Sequence, residues 1–132
     1  MIVSTGVDLI EVERIQDALA NGRTGKRFRE RVYTENEIAY CESKNRGKYE
    51  SYAGRFAAKE AVMKALGRGW GARVAWVDIE VARARSGKPA IVLHRKTAQF
   101  AEQLGIYKWL LSITHTKEYG LAYVIAQDES LS

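Results

Sequence analysis

The sequence predicts an α+β fold in which a mostly antiparallel sheet packs against helices. Three observations support this prediction. Apolar and polar residues alternate near both ends of the chain, at 2–9 and again at 108–115 and 121–127. Residues that favour helices fill much of the region between these stretches. Short turn sequences at 86–89 and 117–120 join neighbouring strands as hairpins.

The N-terminal third of the chain is predicted to form one strand and three helices. Ile15 and Leu19 share the inward face of the first helix, which ends at Asn21-Gly22. Thr34 and Glu37 form a capping-box sequence, so another helix should start there. The predicted bounds are 2–9 for the strand and 11–20, 25–32 and 34–44 for the helices.

The rest of the chain is predicted to contain two helices and four strands. Gly67, Gly69 and Gly71 make a flexible turn after the longer helix. Gly105 ends the shorter helix. The predicted bounds are 49–66 and 96–104 for the helices and 74–83, 90–94, 108–115 and 121–127 for the strands.

The longer helix carries a lysine within its apolar face. That face consists of Tyr52, Phe56, Met63 and Leu66 at helical spacing. Lys59 falls between Phe56 and Met63, although burying an unpaired charge is costly. Two interpretations stay open. Either Lys59 extends to water and Glu60 pairs with Lys64 as an ordinary i,i+4 ion pair, or these charges belong to a binding site.

The charge of the chain favours anionic partners without identifying one. The net charge is +5, from 21 basic and 16 acidic residues, and much of the excess falls between 23 and 48. Such a surface suits phosphate esters, nucleic acid or an acidic protein, although a charge run is usually a solvated face. Nucleic acid is not expected, because the sequence lacks a repeated aromatic stacking platform, zinc-finger spacing and an RNA-binding signature.

Length and cysteine content predict one cytoplasmic domain. The 132 residues, of which 46% are hydrophobic and 28% charged, fit a single domain spanning 1–132. Cys41 is the only cysteine, so no internal disulfide can form, which fits a reducing compartment. No apolar run approaches membrane-spanning length, and no signal-peptide segment follows Met1. No membrane contact is expected.

Asp8 and Glu60 form a candidate metal site. Asp8 lies near the end of an apolar strand, just before a helix, where its alternative role is a helix cap or a strand-end carboxylate. Two carboxylates suit magnesium, which keeps waters and takes its other ligands from substrate phosphates. Lys59 and Lys64 would offset further phosphate charge, and the glycines from Gly67 onward would let backbone N–H groups approach a phosphate. These residues together point to diphosphate binding.

The two histidines are less informative. His115 ends an alternating run, where a lone histidine is more often a packing residue than a catalytic one, and His94 has no motif around it. The sequence contains no His/Cys zinc cluster, no convincing Ser/His/Asp nucleophile set, no Walker-type loop and no GxGxxG fingerprint.

Three motifs resemble those of the holo-acyl-carrier-protein synthases, the short branch of the 4′-phosphopantetheinyl transferases. They are 6–15 (GVDLIEVERI), 55–67 (RFAAKEAVMKALG) and 112–115 (SITH). Two supporting segments are 31–37 (RVYTENE) and 87–89 (GKP). Their order and spacing, and the chain length, agree with that family, and the first two motifs together are highly specific.

The resemblance implies an enzyme that moves the phosphopantetheine group of coenzyme A onto a serine of an apo acyl carrier protein. The other product is adenosine 3′,5′-bisphosphate, and the pathway is fatty-acid synthesis. Asp8 and Glu60 match the family's magnesium ligands. Lys64 matches a lysine that holds the phosphates of coenzyme A, and His115 matches a histidine near the adenosine end of coenzyme A. Glu60 is then the candidate base for the serine proton, directly or through a metal-bound water, and Lys59 would orient Glu60 or contact phosphate.

The resemblance also implies partners. Arg14 matches a first-helix arginine that docks the acidic carrier protein. The family is usually a homotrimer with active sites between subunits, so 87–89 would serve a neighbour's site. One departure concerns Thr116, because many relatives have an acidic residue there. A carboxylate role at this position is therefore not carried over.

Two other functions use the same residues. A magnesium-dependent phosphohydrolase would transfer the phosphoryl group to water. A non-catalytic basic module would bind RNA or an acidic protein, and its binding would survive replacement of Asp8 or Glu60 by alanine, whereas an enzyme would lose turnover.

Overall fold

The computed structural model describes residues 1–128 and has the predicted α+β architecture with antiparallel strand pairs. The strands are β1 (Ile2–Glu11), β2 (Ile79–Arg83), β3 (Pro89–Leu93), β4 (Lys108–His115) and β5 (Tyr119–Gln127). The helices are α1 (Val12–Ala20), α2 (Gly25–Val32), α3 (Glu35–Glu42), α4 (Lys48–Leu66) and α5 (Arg95–Gln103). One sheet has the strand order β1-β5-β4, and the other pairs β2 with β3.

Helix α4 packs directly on the inner face of the three-stranded sheet. Small residues make this close packing possible, because Ala53, Ala57 and Ala61 are fully buried along the helix. Glycines do the same on the strands. A Cβ on Gly6 would lie 1.9 Å from the carbonyl oxygen of Ala61, and a Cβ on Gly120 would lie 3.1 Å from the backbone of Ala53. The C-terminal half of α4 therefore lies against β1, where Asp8 is located.

The predicted strand 74–83 is wrong in its first half. Trp76–Asp78 is a 3₁₀ turn, and the strand begins at Ile79. The buried carboxylate of Asp78 explains the difference, since it accepts hydrogen bonds from Arg95 Nε at 2.8 Å and Thr97 Oγ1 at 3.2 Å. Contacts with α5 thus override the local alternation.

The predicted capping box is confirmed at the start of α3. The Glu37 N–H donates to Thr34 Oγ1 at 3.1 Å, and the Thr34 N–H donates to Glu37 Oε1 at 2.8 Å. The other predicted elements lie within a few residues of their expected bounds. Within residues 1–128, no helix combines the length and the apolar character needed to cross a bilayer.

Candidate active site

An ion pair between Asp8 and Lys64 joins strand β1 to helix α4. Lys64 Nζ lies 3.1 Å from Asp8 Oδ1 and also donates to the carbonyl oxygen of Val7 at 3.1 Å. The Asp8 side chain is 13% exposed and the Lys64 side chain 54%. Asp8 is not the cap of α1, because Glu11 occupies that position. Its carboxylate faces the end of α4 instead.

Glu60 completes a cluster with these two residues. It is half-buried and lies one turn before Lys64 on α4. Burial raises the pKa of the Glu60 carboxyl, the Asp8 carboxylate raises it further, and Lys64 acts in the opposite direction. The two carboxylates are therefore close enough to repel each other. Lys64 pairs with Asp8 and not with Glu60, so the i,i+4 ion pair is not the arrangement seen here.

The donor set of Asp8 and Glu60 fits a hard divalent cation that is only partly held by protein. Within residues 1–128 there is no group of three or more His, Cys, Asp or Glu side chains that could enclose a metal. Two repelling carboxylates attract a cation, and magnesium usually keeps waters and substrate oxygens as its remaining ligands. A phosphate-bearing substrate would therefore have to complete the coordination.

Gly67 ends α4 one turn after Lys64 and is exposed. Its φ of +79° is the left-handed conformation that favours glycine at a helix end. Its N–H donates to the carbonyl oxygen of Lys64 at 3.1 Å, so this group is already engaged within the helix cap. The space beside Gly67 is open, because no atom lies within 4 Å of where its Cβ would be.

Lys59 lies in the protein interior and not beside the exposed Lys64 side chain. Its side chain is fully buried, and Nζ lies 2.8 Å from Glu37 Oε1. It also donates to the carbonyl oxygens of Trp76, at 3.1 Å, and Ile79. Burial lowers the pKa of Lys59, and Glu37 opposes this change. The expected extension to water is therefore wrong, and so is the expected contact with phosphate.

His115 is separated from the carboxylates. It is exposed at the end of β4, opposite Gly120 on β5, and Gly120 packs against Ala53 and Gly54. Gly54 and Glu60 are six residues apart on α4, which is about 9 Å along the helix. Within one copy of the chain, His115 thus faces the N-terminal half of α4, whereas Asp8 and Lys64 meet at its C-terminal half.

Arg14 is exposed on α1, whose inward face is formed by Val12 and Ile15. Helix α1 packs against α2, which is rich in basic residues. The basic residues of α2 are Lys26, Arg27, Arg29 and Arg31.

A cluster of cations around Tyr40 was not predicted from the sequence. Arg55 Cζ lies 4.2 Å from the centroid of the Tyr40 ring, and Arg83 Cζ and Lys44 Nζ each lie 4.7 Å from it. Arg55 is 7% exposed, and its Nε has no hydrogen-bond partner among the described residues. The position of Arg55 in the 55–67 motif indicated that this residue has a role. The cluster itself was not predictable, because Tyr40 of α3 and Arg83 of β2 are far from Arg55 in sequence.

Comparisons with known proteins find similar sequences and a similar fold. The sequence profile of the 4′-phosphopantetheinyl transferase superfamily matches residues 4–124. The holo-[acyl-carrier-protein] synthase of Solibacter usitatus is 54% identical over 128 residues, covering 97% of this chain and 100% of the relative. The crystal structure of the Neisseria meningitidis holo-[acyl-carrier-protein] synthase has a TM-score of 0.85 at 30% identity and covers 97% of this chain and 100% of that one.

A third similar protein was solved with a ligand. The holo-(acyl-carrier-protein) synthase of Bacillus anthracis, in complex with CoA (3′,5′-ADP), has a TM-score of 0.78 at 38% identity. It covers 98% of this chain and 99% of its own.

Proposed function

Because the chain belongs to the 4′-phosphopantetheinyl transferase superfamily, we propose that it transfers the 4′-phosphopantetheine group of coenzyme A to a serine of an apo acyl carrier protein. The products are the holo carrier protein and adenosine 3′,5′-bisphosphate, and the reaction supports fatty-acid biosynthesis. The observation that carries the proposal is the cluster of Asp8, Glu60 and Lys64, which combines two carboxylates with an exposed ammonium.

Magnesium is the proposed cofactor, with Asp8 and Glu60 as its protein ligands. The raised pKa of Glu60, which burial and Asp8 cause, supports a site where a cation would relieve repulsion. When bound, the ion would neutralise charge on the diphosphate of coenzyme A. Lys64 pairs with Asp8 while half of its side chain is exposed, so its ammonium can hold a phosphate oxygen.

The nucleophile belongs to the carrier protein. Its serine hydroxyl attacks the phosphorus atom next to the pantetheine arm, and the P–O bond to the bisphosphate breaks. The serine proton needs an acceptor, and we assign that role to Glu60, whose half-buried side chain lies one turn before Lys64 on α4. Lys64 stabilises the negative charge that develops on the leaving phosphate.

Charge supports both proposed substrates. Coenzyme A is polyanionic, and the cations around Tyr40 form a second basic area besides Lys64. The acidic carrier protein would dock on α1, which carries Arg14, and on the basic helix α2 that packs against α1.

A homotrimer with active sites between subunits is also proposed. The outer face of the three-stranded sheet is apolar and exposed, as in Val7 paired with Tyr123, and Leu9 is 59% exposed. The separation of His115 from Asp8 and Glu60 supports a shared site, in which His115 of one copy contacts the adenosine end of coenzyme A held by another. Residues 87–89 would border that shared site.

A cytoplasmic location and a single catalytic domain complete the proposal. Cys41 is a buried free thiol, which suits a reducing compartment. The family profile covers 4–124, nearly the whole chain.

Carrier dependence separates this proposal from its rivals. The protein is mixed with coenzyme A and magnesium, with and without an apo acyl carrier protein, and release of adenosine 3′,5′-bisphosphate is measured. A transferase releases it only when the carrier is present. A phosphohydrolase releases it in both mixtures, and a basic binding module releases it in neither.

A further inference from the structure

An aromatic cavity lies between α2, the segment that follows α4 and the start of α5. Its volume is about 430 Å³, and its apolar lining comes from Trp70, Val74, Trp76 and Val77. Trp70 is 58% exposed, which is unusual for so large an apolar side chain. The residues that line this cavity include neither Arg14 nor the residues assigned to the reaction.

Stacked aromatic rings connect the cavity to the catalytic helix. The rings of Trp76 and Phe56 stack with centroids 5.0 Å apart, and Phe28 of α2 lies 6.3 Å from Phe56. Phe56 is the middle ring of this stack and lies one turn before Glu60 on α4. Lys59 holds Trp76 in place by donating to its carbonyl oxygen at 3.1 Å. One wall of the cavity therefore packs, through Trp76, against the helix that carries Glu60.

The rim of the cavity is basic. The Arg31 guanidinium lies 5.1 Å from the centroid of the Trp70 ring, and Lys96 donates to the carbonyl oxygen of Gly71 at 2.8 Å. Glu30 is the acidic residue of the lining. Helix α2, which borders the cavity, has four basic residues and one acidic residue. An apolar cavity with a cationic border complements an apolar side chain that projects from an acidic surface.

We propose that this cavity is the apolar anchor point for the acidic carrier protein, with Trp70 as its main contact. The inference rests on the proposed function, because it takes the acidic carrier as the second substrate. An apolar side chain of the carrier inserts between Trp70 and Trp76, and Arg31 and Lys96 face acidic residues around it. Arg14 then supplies charge at one end of the docking surface, and Trp70 supplies buried apolar area at the other.

The test is steady-state kinetics with Trp70→Ala, using an apo acyl carrier protein and coenzyme A. Because the variant removes a tryptophan that becomes buried in the complex, the KM for the carrier should rise roughly 10–30-fold. The affinity for coenzyme A should stay within about twofold of the wild-type value, and Trp70→Phe should retain most carrier affinity. Tyr107→Ala is the control, because Tyr107 is similarly exposed, at 61%, and lies outside this cavity. An unchanged KM for the carrier would overturn the proposal.

A binding measurement keeps the inference separate from the proposed reaction. Tryptophan fluorescence is titrated with apo carrier, coenzyme A or adenosine 3′,5′-bisphosphate, and the same titrations of Trp70→Phe are subtracted. A blue shift of Trp70 emission with the carrier alone supports the anchor, even if no transfer follows. A shift with coenzyme A but with neither of the other probes would assign the cavity to the pantetheine arm and contradict the proposal.

Discussion

Gly6 of β1 lies against the carbonyl oxygen of Ala61 on α4, so closely that a Cβ on Gly6 would come within 1.9 Å of that oxygen. The strand and the helix therefore meet backbone to backbone at this point. The next turn of α4 carries Lys64, which reaches Asp8 two residues further along β1. The contact between Gly6 and Ala61 therefore sets the distance between Asp8 on β1 and the site residues on α4.

Gly6→Ala should destabilise the fold by at least about 2–3 kcal/mol, because the added methyl group has no space unless β1 and α4 separate. Urea denaturation measures the loss. Gly22→Ala is the matched control, since no atom lies within 4 Å of where its Cβ would be, and its effect should stay within about 0.5 kcal/mol. Equal stabilities for the two variants would contradict the close packing.

Lys59→Ala should lower the free energy of unfolding by about 3–5 kcal/mol, because it leaves the Glu37 carboxylate buried without its partner. Lys64→Ala should change stability by less than about 1 kcal/mol, since its ion pair with Asp8 is solvent-exposed at the lysine. Urea denaturation and carrier modification are measured for both variants. Lys64→Ala should lose turnover while remaining folded.

A second variant makes the assignment of Lys59 sharper. Lys59→Met combined with Glu37→Gln removes both charges, so it should recover part of the stability that Lys59→Ala loses. A stable Lys59→Ala protein that has lost affinity for coenzyme A would instead place Lys59 at the phosphates.

The Cys41 thiol should be unreactive in the folded protein. Burial raises its pKa to about 12, and its side chain is inaccessible, so almost no thiolate forms at pH 8. Iodoacetamide labelling followed by mass spectrometry should give little product until urea unfolds the chain. Labelling at the same rate with and without urea would show that Cys41 is not buried.

Arg14→Glu should raise the KM for the carrier protein and leave the affinity for coenzyme A nearly unchanged, because Arg14 is exposed on α1 away from the ion pair of Asp8 and Lys64. The difference in carrier KM between the wild type and Arg14→Glu should become smaller as salt is added, since screening weakens the attraction between exposed charges. Equal losses of affinity for the carrier and for coenzyme A would contradict the assignment of Arg14 to carrier docking.

Local sequence patterns predicted the elements whose signals are local. The Thr34 and Glu37 capping box is an example, because both partners lie within four residues. The start of β2 was missed, since the turn at Trp76–Asp78 depends on Arg95 and Thr97 of a distant helix. Alternation alone cannot report such a contact.

The candidate site shows the same limit. The meeting of Asp8 and Glu60 was predicted from residue chemistry and family motifs, and the raised pKa of Glu60 agrees with it. The burial of Lys59 against Glu37 was not predictable, because the sequence assigned the Glu37 side chain to the capping box of α3. Glu37 in fact serves three groups, including the N–H of Val81 at 2.7 Å.

The most direct measurement is the mass of an apo acyl carrier protein after incubation with coenzyme A, magnesium and this protein. The wild type should add one phosphopantetheine to the carrier. Glu60→Gln should add almost none, because it removes both the proposed metal ligand and the proposed base while keeping a side chain of similar size. No mass gain with the wild type, or an equal gain with Glu60→Gln, would contradict the proposed mechanism.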